Sequence, residues 1–155
     1  FLDLFLMDSK KSSQLYLGWY NESKKLTDFN SSKISQITSQ NTQGHFKGQQ
    51  LFNDKTMNYF LKTIELAKQN NITSVFISYP VSNYYDYDLL KYNISRDRFY
   101  AEVFKSVNSI TTDYDYYDYY SLFFNNPEYF GDSNHLNYLG AENLSKTIIW
   151  NIQND

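Results

Sequence analysis

The sequence predicts an α/β domain, read as the second half of a doubly wound three-layer α/β/α sandwich with a mostly parallel sheet. Three observations carry that prediction. From residue 53 onward, stretches of helical period alternate with short apolar runs in the order α-β-α-β-loop-α. The clearest of these runs is nearly continuous rather than alternating, which suits a strand covered on both faces. The chain's 155 residues also suffice for one domain with a real core, needing neither disulfide nor metal.

Taken in order, residues 1–20 hold two apolar patches, Phe1 to Met7 and Leu15 to Tyr20, joined by a polar stretch. The first is equally compatible with a buried strand and a short helix at this length. Residues 21–50 are poor in hydrophobics and rich in Ser, Thr, Gln and Asn, and read as a long surface excursion. His45 lies there between Gly44 and Gly48, where solvation is the default expectation.

Organisation sharpens at Asn53-Asp54, either of which can cap a helix running to about Gln69. Met57, Phe60, Leu61, Ile64 and Ala67 then share one face, and Asn70-Asn71 closes it. Val75 to Tyr79 follows as a short strand stopped by Pro80. Val81 to Ser95 reads as a loop. A helix over about 96–109 turns Phe99, Val103, Val107 and Ile110 inward, and Ile110 to Tyr116 is the next strand candidate. The last helix spans about 139–152 with Ala141, Leu144, Ile148 and Ile152 buried and Asn137 as its cap.

Composition excludes several functions. There is no cysteine, hence no thiol catalysis and no disulfide. Net charge is -3 and the only arginines are Arg96 and Arg98, so no basic stripe is available for nucleic acid. No apolar run approaches the ~20 residues of a membrane span. The chain opens on Phe rather than Met, so the natural start, with any signal or anchor, is expected to precede residue 1. Metal binding lacks ligand spacing.

The chemistry concentrates in Tyr129-Phe130-Gly131-Asp132-Ser133-Asn134-His135-Leu136-Asn137, on the loop after the last strand. Open α/β sheets place their sites on that side. Asp132 and His135 are one tight turn apart, so the carboxylate can reach the nearer imidazole nitrogen and leave the other free to take a proton. The bland alternative is a structural turn in which Asp132 caps the local backbone.

This loop, with Gly140-Ala141 after it, resembles the last block of the SGNH/GDSL hydrolase superfamily, in which a D-x-x-H element supplies the triad acid and base. The wording is similar to a cell-envelope branch related to the D-alanyl transfer protein of teichoic acid modification and to polysaccharide O-acyltransferase domains. The resemblance spans residues ~50–153, as set by the helix and strand periods. It implies a flavodoxin-like SGNH fold, either whole or as its C-terminal part. It further implies Asp132 as orienting acid, His135 as general base, and esterase or O-acyl transfer chemistry with no cofactor. A glycan or teichoic-acid-like polymer is the implied substrate. A membrane-bound acyltransferase is a possible partner, and an extracytoplasmic, membrane-anchored setting is implied.

The family's Gly-Asp-Ser block is absent. Met7-Asp8-Ser9 is the nearest match, which makes Ser9 a nucleophile candidate without the glycine that opens an oxyanion site. The alternatives are a nucleophile outside this chain and an inactive domain. A rival reading is a carbohydrate-binding accessory domain, because Tyr84, Tyr85 and Asp86 in the run Tyr84–Asp88 join rings for sugar faces with carboxylates for hydroxyls. The simpler account of such tyrosines is a half-buried surface.

Overall fold

The computed structural model describes residues 15–16, 19–20, 23–46, 52 and 54–154. Two short strands, β1 (Leu15–Tyr16) and β2 (Trp19–Tyr20), pair antiparallel with Leu15 opposite Tyr20. The expected element at Phe1 to Met7 lies outside the described residues. A 3-10 turn at Leu26–Asp28 leads to α1 (Ser31–Phe46), followed by α2 (Asp54–Gln69), β3 (Ser74–Ser78), α3 (Asn83–Leu89), α4 (Arg96–Asn108), β4 (Tyr114–Asp118) and α5 (Tyr138–Asn154). The fold is mixed α/β, mostly helical, around a two-stranded parallel sheet of β3 and β4.

The helix α2 forms where its period predicts. Ile64 is buried, while Met57, Phe60, Leu61 and Ala67 are half-buried and the positions between them exposed. Its end is fixed by Asn71, held at φ 54°. Asn71 N–H donates to the Lys68 carbonyl (3.1 Å) and Ile72 N–H to that of Ala67 (2.9 Å), the paired bonds of a Schellman stop. Asn93, also at φ 54°, repeats the arrangement after α3, with Asn93 N–H on Leu90 and Ile94 N–H on Leu89. Asparagine tolerates this left-handed backbone better than other residues with a Cβ.

Strands β3 and β4 run in register from Ser74 opposite Tyr114 to Ser78 opposite Asp118. Phe76 and Tyr114 put rings on the α4 side, against Phe104 at 6.1 and 5.6 Å, and Phe60 of α2 reaches Phe76 at 6.0 Å. Ile77 and Tyr117 project to the opposite face. They pack with Leu144 and Ile148 of α5 in a core that also contains Leu26, Ile34, Phe123 and Phe130. Apolar side chains thus cover both faces of the strand pair.

Several expectations are corrected. Residues 31–46 are helical: the inward face of α1 is Ile34, Thr38 and Thr42, and threonines at core positions hide a helical period from the sequence. Leu26, in the same supposed surface excursion, is fully buried and donates its N–H to the Phe130 carbonyl at 2.7 Å. The Val81–Ser95 loop contains α3 and a 3-10 turn, begun by Ser82, whose Oγ accepts from Tyr85 N–H at 3.3 Å. Strand β4 starts at Tyr114 rather than Ile110, because Ile110 and Thr111 still bond the Val107 carbonyl as α4 ends. Within α5, Leu144 is buried as expected but Ile152 is exposed.

Candidate active site

The loop after β4 is shaped by backbone bonds before any side chain acts. Phe130 and Leu136 form an antiparallel bridge, and Gly131 N–H donates to the His135 carbonyl at 2.9 Å. Inside this small loop Asp132 Oδ1 accepts from the N–H groups of Asn134 and His135, each at 2.9 Å. Asp132 Oδ2 sits 2.9 Å from His135 Nδ1, with Oδ1 at 3.1 Å. The carboxylate therefore caps the turn and orients the imidazole at once.

A carboxylate only accepts, which places the proton of a neutral imidazole on Nδ1 and leaves Nε2 as the free base. Asn134 Nδ2 lies 3.4 Å from Nε2. The His135 side chain is 69% exposed and that of Asp132 31%, so the imidazole faces solvent while its orienting partner is partly shielded. His135 stands between two clefts of about 510 and 480 Å³. Phe29, Ile37 and Leu136 line the first; Tyr79, Pro80 and Ile148 line the second.

Two helices hold the loop from behind. Asn41 of α1 donates from Nδ2 to Asn134 Oδ1 at 2.7 Å and to Ser133 Oγ at 3.2 Å. Ser82, at the N-cap of α3, donates its N–H (3.1 Å) and its Oγ–H (2.6 Å) to the Ser133 carbonyl. Ser82 follows β3 by four residues, and Val81 N–H bonds the Tyr120 carbonyl just after β4. The dyad loop is therefore seated at the carboxyl ends of both parallel strands, where open α/β sheets carry their sites.

Asn137 is the structural hinge of the region. Its Oδ1 accepts from Leu139 N–H (3.0 Å) and Gly140 N–H (3.1 Å), capping α5. Its Nδ2 donates to the carbonyls of Glu128 (2.7 Å) and Lys24 (3.2 Å), and the residue is 1% exposed. Sequence reasoning named the cap. It missed Asn41 and Ser82, whose roles come from contacts across more than fifty residues of chain and leave no local signal.

Asp132 and His135 are brought together as expected. Ser9 lies outside the described residues, and no serine hydroxyl among those described is hydrogen-bonded to His135 Nε2. Ser133 is fully buried. Of the tyrosine-rich run, Tyr84 and Asp86 line a separate cleft between α1 and α3, while Tyr85 turns inward. Tyr85 OH meets His45 Nδ1 at 2.6 Å, and burial pushes its phenol up to about 12. His45 is exposed yet tied to α3 by this bond, not simply solvated. Tyr120 OH donates to Asp86 at 2.8 Å; burial, followed by that bond, raises the Tyr120 phenol above its ordinary value.

Among the described residues no group of His, Asp and Glu is placed to hold a metal ion, and no helix is long and apolar enough to cross a membrane. Comparison with protein-family models, curated proteins and solved structures returns no match.

Proposed function

We propose that this chain is an SGNH-like α/β domain that performs serine-ester chemistry, as an esterase or O-acyltransferase on an ester-linked group of a cell-envelope glycan or teichoic-acid-like polymer. The observation that carries the reading is the Asp132–His135 pair: a bidentate carboxylate on Nδ1, an exposed imidazole, and a seat at the carboxyl ends of two parallel strands. The two-faced packing of β3 and β4 supports the finer reading of a three-layer sandwich. An extracytoplasmic, anchored setting and a membrane-bound acyl donor partner belong to the same proposal.

In this mechanism the nucleophile is a serine hydroxyl, with Ser9 the candidate within this chain and a serine outside it the alternative. His135 Nε2 removes the serine hydroxyl proton as the oxygen attacks the ester carbonyl, giving an imidazolium that Asp132 stabilises through Nδ1–H. The same proton then passes from Nε2 to the departing alcohol oxygen, leaving an acyl-serine. Water or an acceptor hydroxyl reverses the sequence and regenerates the serine.

A fluorophosphonate probe tests this assignment directly, since it phosphonylates only an activated serine. The expected result is one adduct by intact mass, mapped to Ser9 and lost in His135→Ala. Failure of the chain to label, or labelling indifferent to His135→Ala, would remove the basis for the proposal. A second reading, a catalytically inactive carbohydrate-binding domain, is favoured by the ring-lined cleft between α1 and α3. It predicts no labelling at all.

A further inference from the structure

The cleft between α1 and α3 is separate from the dyad, about 560 Å³ in volume, and within the range of small-ligand sites. Its walls are unlike those of a packing defect. On α3, Tyr84 and Tyr87 stand three residues apart on one face and are 42% and 73% exposed. On α1, Ser31, Ser35 and Thr38 follow at helical spacing and present hydroxyls along the opposite wall.

Thr38 supplies an independent observation. The residue is 3% exposed, and its Oγ1 has no hydrogen-bond partner. An orphaned buried hydroxyl is destabilising and calls for a reason. Thr38 lines the cleft, so its unpartnered hydroxyl is at hand for a ligand hydroxyl that enters there.

Charge selects the ligand class. The acids at the cleft are Asp86 and Asp88, and the cation is Lys91, already engaged by Asp88. Asp88 also accepts from Thr42 at 2.6 Å, and Asp86 from Tyr120. Among the described residues lining the cleft no cation is left over for a phosphate or carboxylate, and the acidic excess repels one. Exposed rings opposite a row of hydroxyls suit the apolar face and the hydroxyl edge of a neutral sugar.

We infer that the α1–α3 cleft is a binding subsite for an uncharged saccharide unit. Helix α1 holds the dyad loop through Asn41 and α3 holds it through Ser82, so a sugar clamped between them is anchored on the same two elements that position His135. This deepens the reading above by locating the glycan, and rests on that reading only for what the bound sugar is for.

The test is titration of the 15N-labelled chain with N-acetylglucosamine, using glucose 6-phosphate as the anionic comparison. The expected result is saturable shifts at Thr38, Asn83 and Tyr84 with the neutral sugar and none with the phosphate. Tyr84→Ala and Tyr87→Ala should each weaken binding by about tenfold, of the order of one lost ring contact. Thr38→Val should raise the melting temperature while weakening the sugar, because it removes an unsatisfied hydroxyl that the ligand uses. Binding should persist in His135→Ala, which keeps this inference distinguishable from the acid–base proposal. Absence of saturable shifts, saturation by the phosphate instead, or tyrosine variants that bind as well as the parent would each overturn it.

Discussion

Gly140 offers the sharpest stability prediction in the molecule. It sits in the first turn of α5, buried, where a Cβ would come within 2.2 Å of the Tyr129 carbonyl oxygen, 2.9 Å of Leu136 Cδ2 and 3.0 Å of Tyr129 Cβ. Gly140→Ala must open this contact by about 1 Å, since ordinary contact begins near 3.4 Å. The obstacle is backbone, and it is engaged: the Tyr129 carbonyl accepts from Asn137 N–H at 2.9 Å. Better helix propensity would return about 1 kcal/mol. Against it stand overpacking at about 1–3 kcal/mol and a strained hydrogen bond at about 1 kcal/mol. The net expectation is a loss of roughly 1–3 kcal/mol, a melting temperature lower by roughly 3–10 °C for a chain of this size. Gly44→Ala is the control: nothing lies within 4 Å of its Cβ position, on the exposed side of α1. It should stabilise by about 0.5–1 kcal/mol. Urea denaturation of both variants decides. A Gly140→Ala protein as stable as its parent, or a Gly44→Ala protein less stable than Gly140→Ala, refutes the packing described at the foot of α5.

Further outcomes follow from the same contacts. Asn137→Ala deletes a two-bond helix cap and takes the Nδ2 donor from the part-buried carbonyl contacts to Glu128 and Lys24, and should cost about 2–3 kcal/mol by chemical denaturation. Asn41→Ala should leave the melting temperature within a few degrees yet slow ester turnover about tenfold, because it frees Asn134 and the loop carrying His135. Alkaline stability reports on Tyr85. Its phenol stays protonated in the folded chain up to about 12 but ionises near 10.0 when unfolded. Stability is therefore full below pH 10 and falls as pH rises through 12, by about 3 kcal/mol for this group. Tyr85→Phe should flatten that part of the profile, and an unchanged slope counts against its burial.

What the sequence made legible follows from where the information is local. Helices α2 and α4 bury side chains at the positions their period marks, such as Ile64 and Val107, because each faces a strand and needs an apolar stripe. The dyad was legible for the same reason, since a turn of four residues fixes both partners. Helix α1 was hidden because Thr38 and Thr42 fill its inward face and Thr42 is held by a hydrogen bond to Asp88 rather than by apolar burial alone. Helix α3 was hidden by its tyrosines and aspartates, which look like loop until Tyr85 is seen packed with Leu89 and Ile94. Only Tyr84 and Asp86 of the expected sugar-binding trio share a cleft, since a helix turns the residue between them inward.

The central claim is that His135, oriented by Asp132, is a working base. Hydrolysis of p-nitrophenyl acetate tests it most directly, with His135→Ala, Asp132→Asn and Ser9→Ala measured beside the parent chain. The account predicts measurable turnover by the parent and losses of at least about 100-fold in each variant, with melting temperatures retained in His135→Ala. A parent that does not hydrolyse the ester, or a His135→Ala variant that keeps its rate, contradicts it.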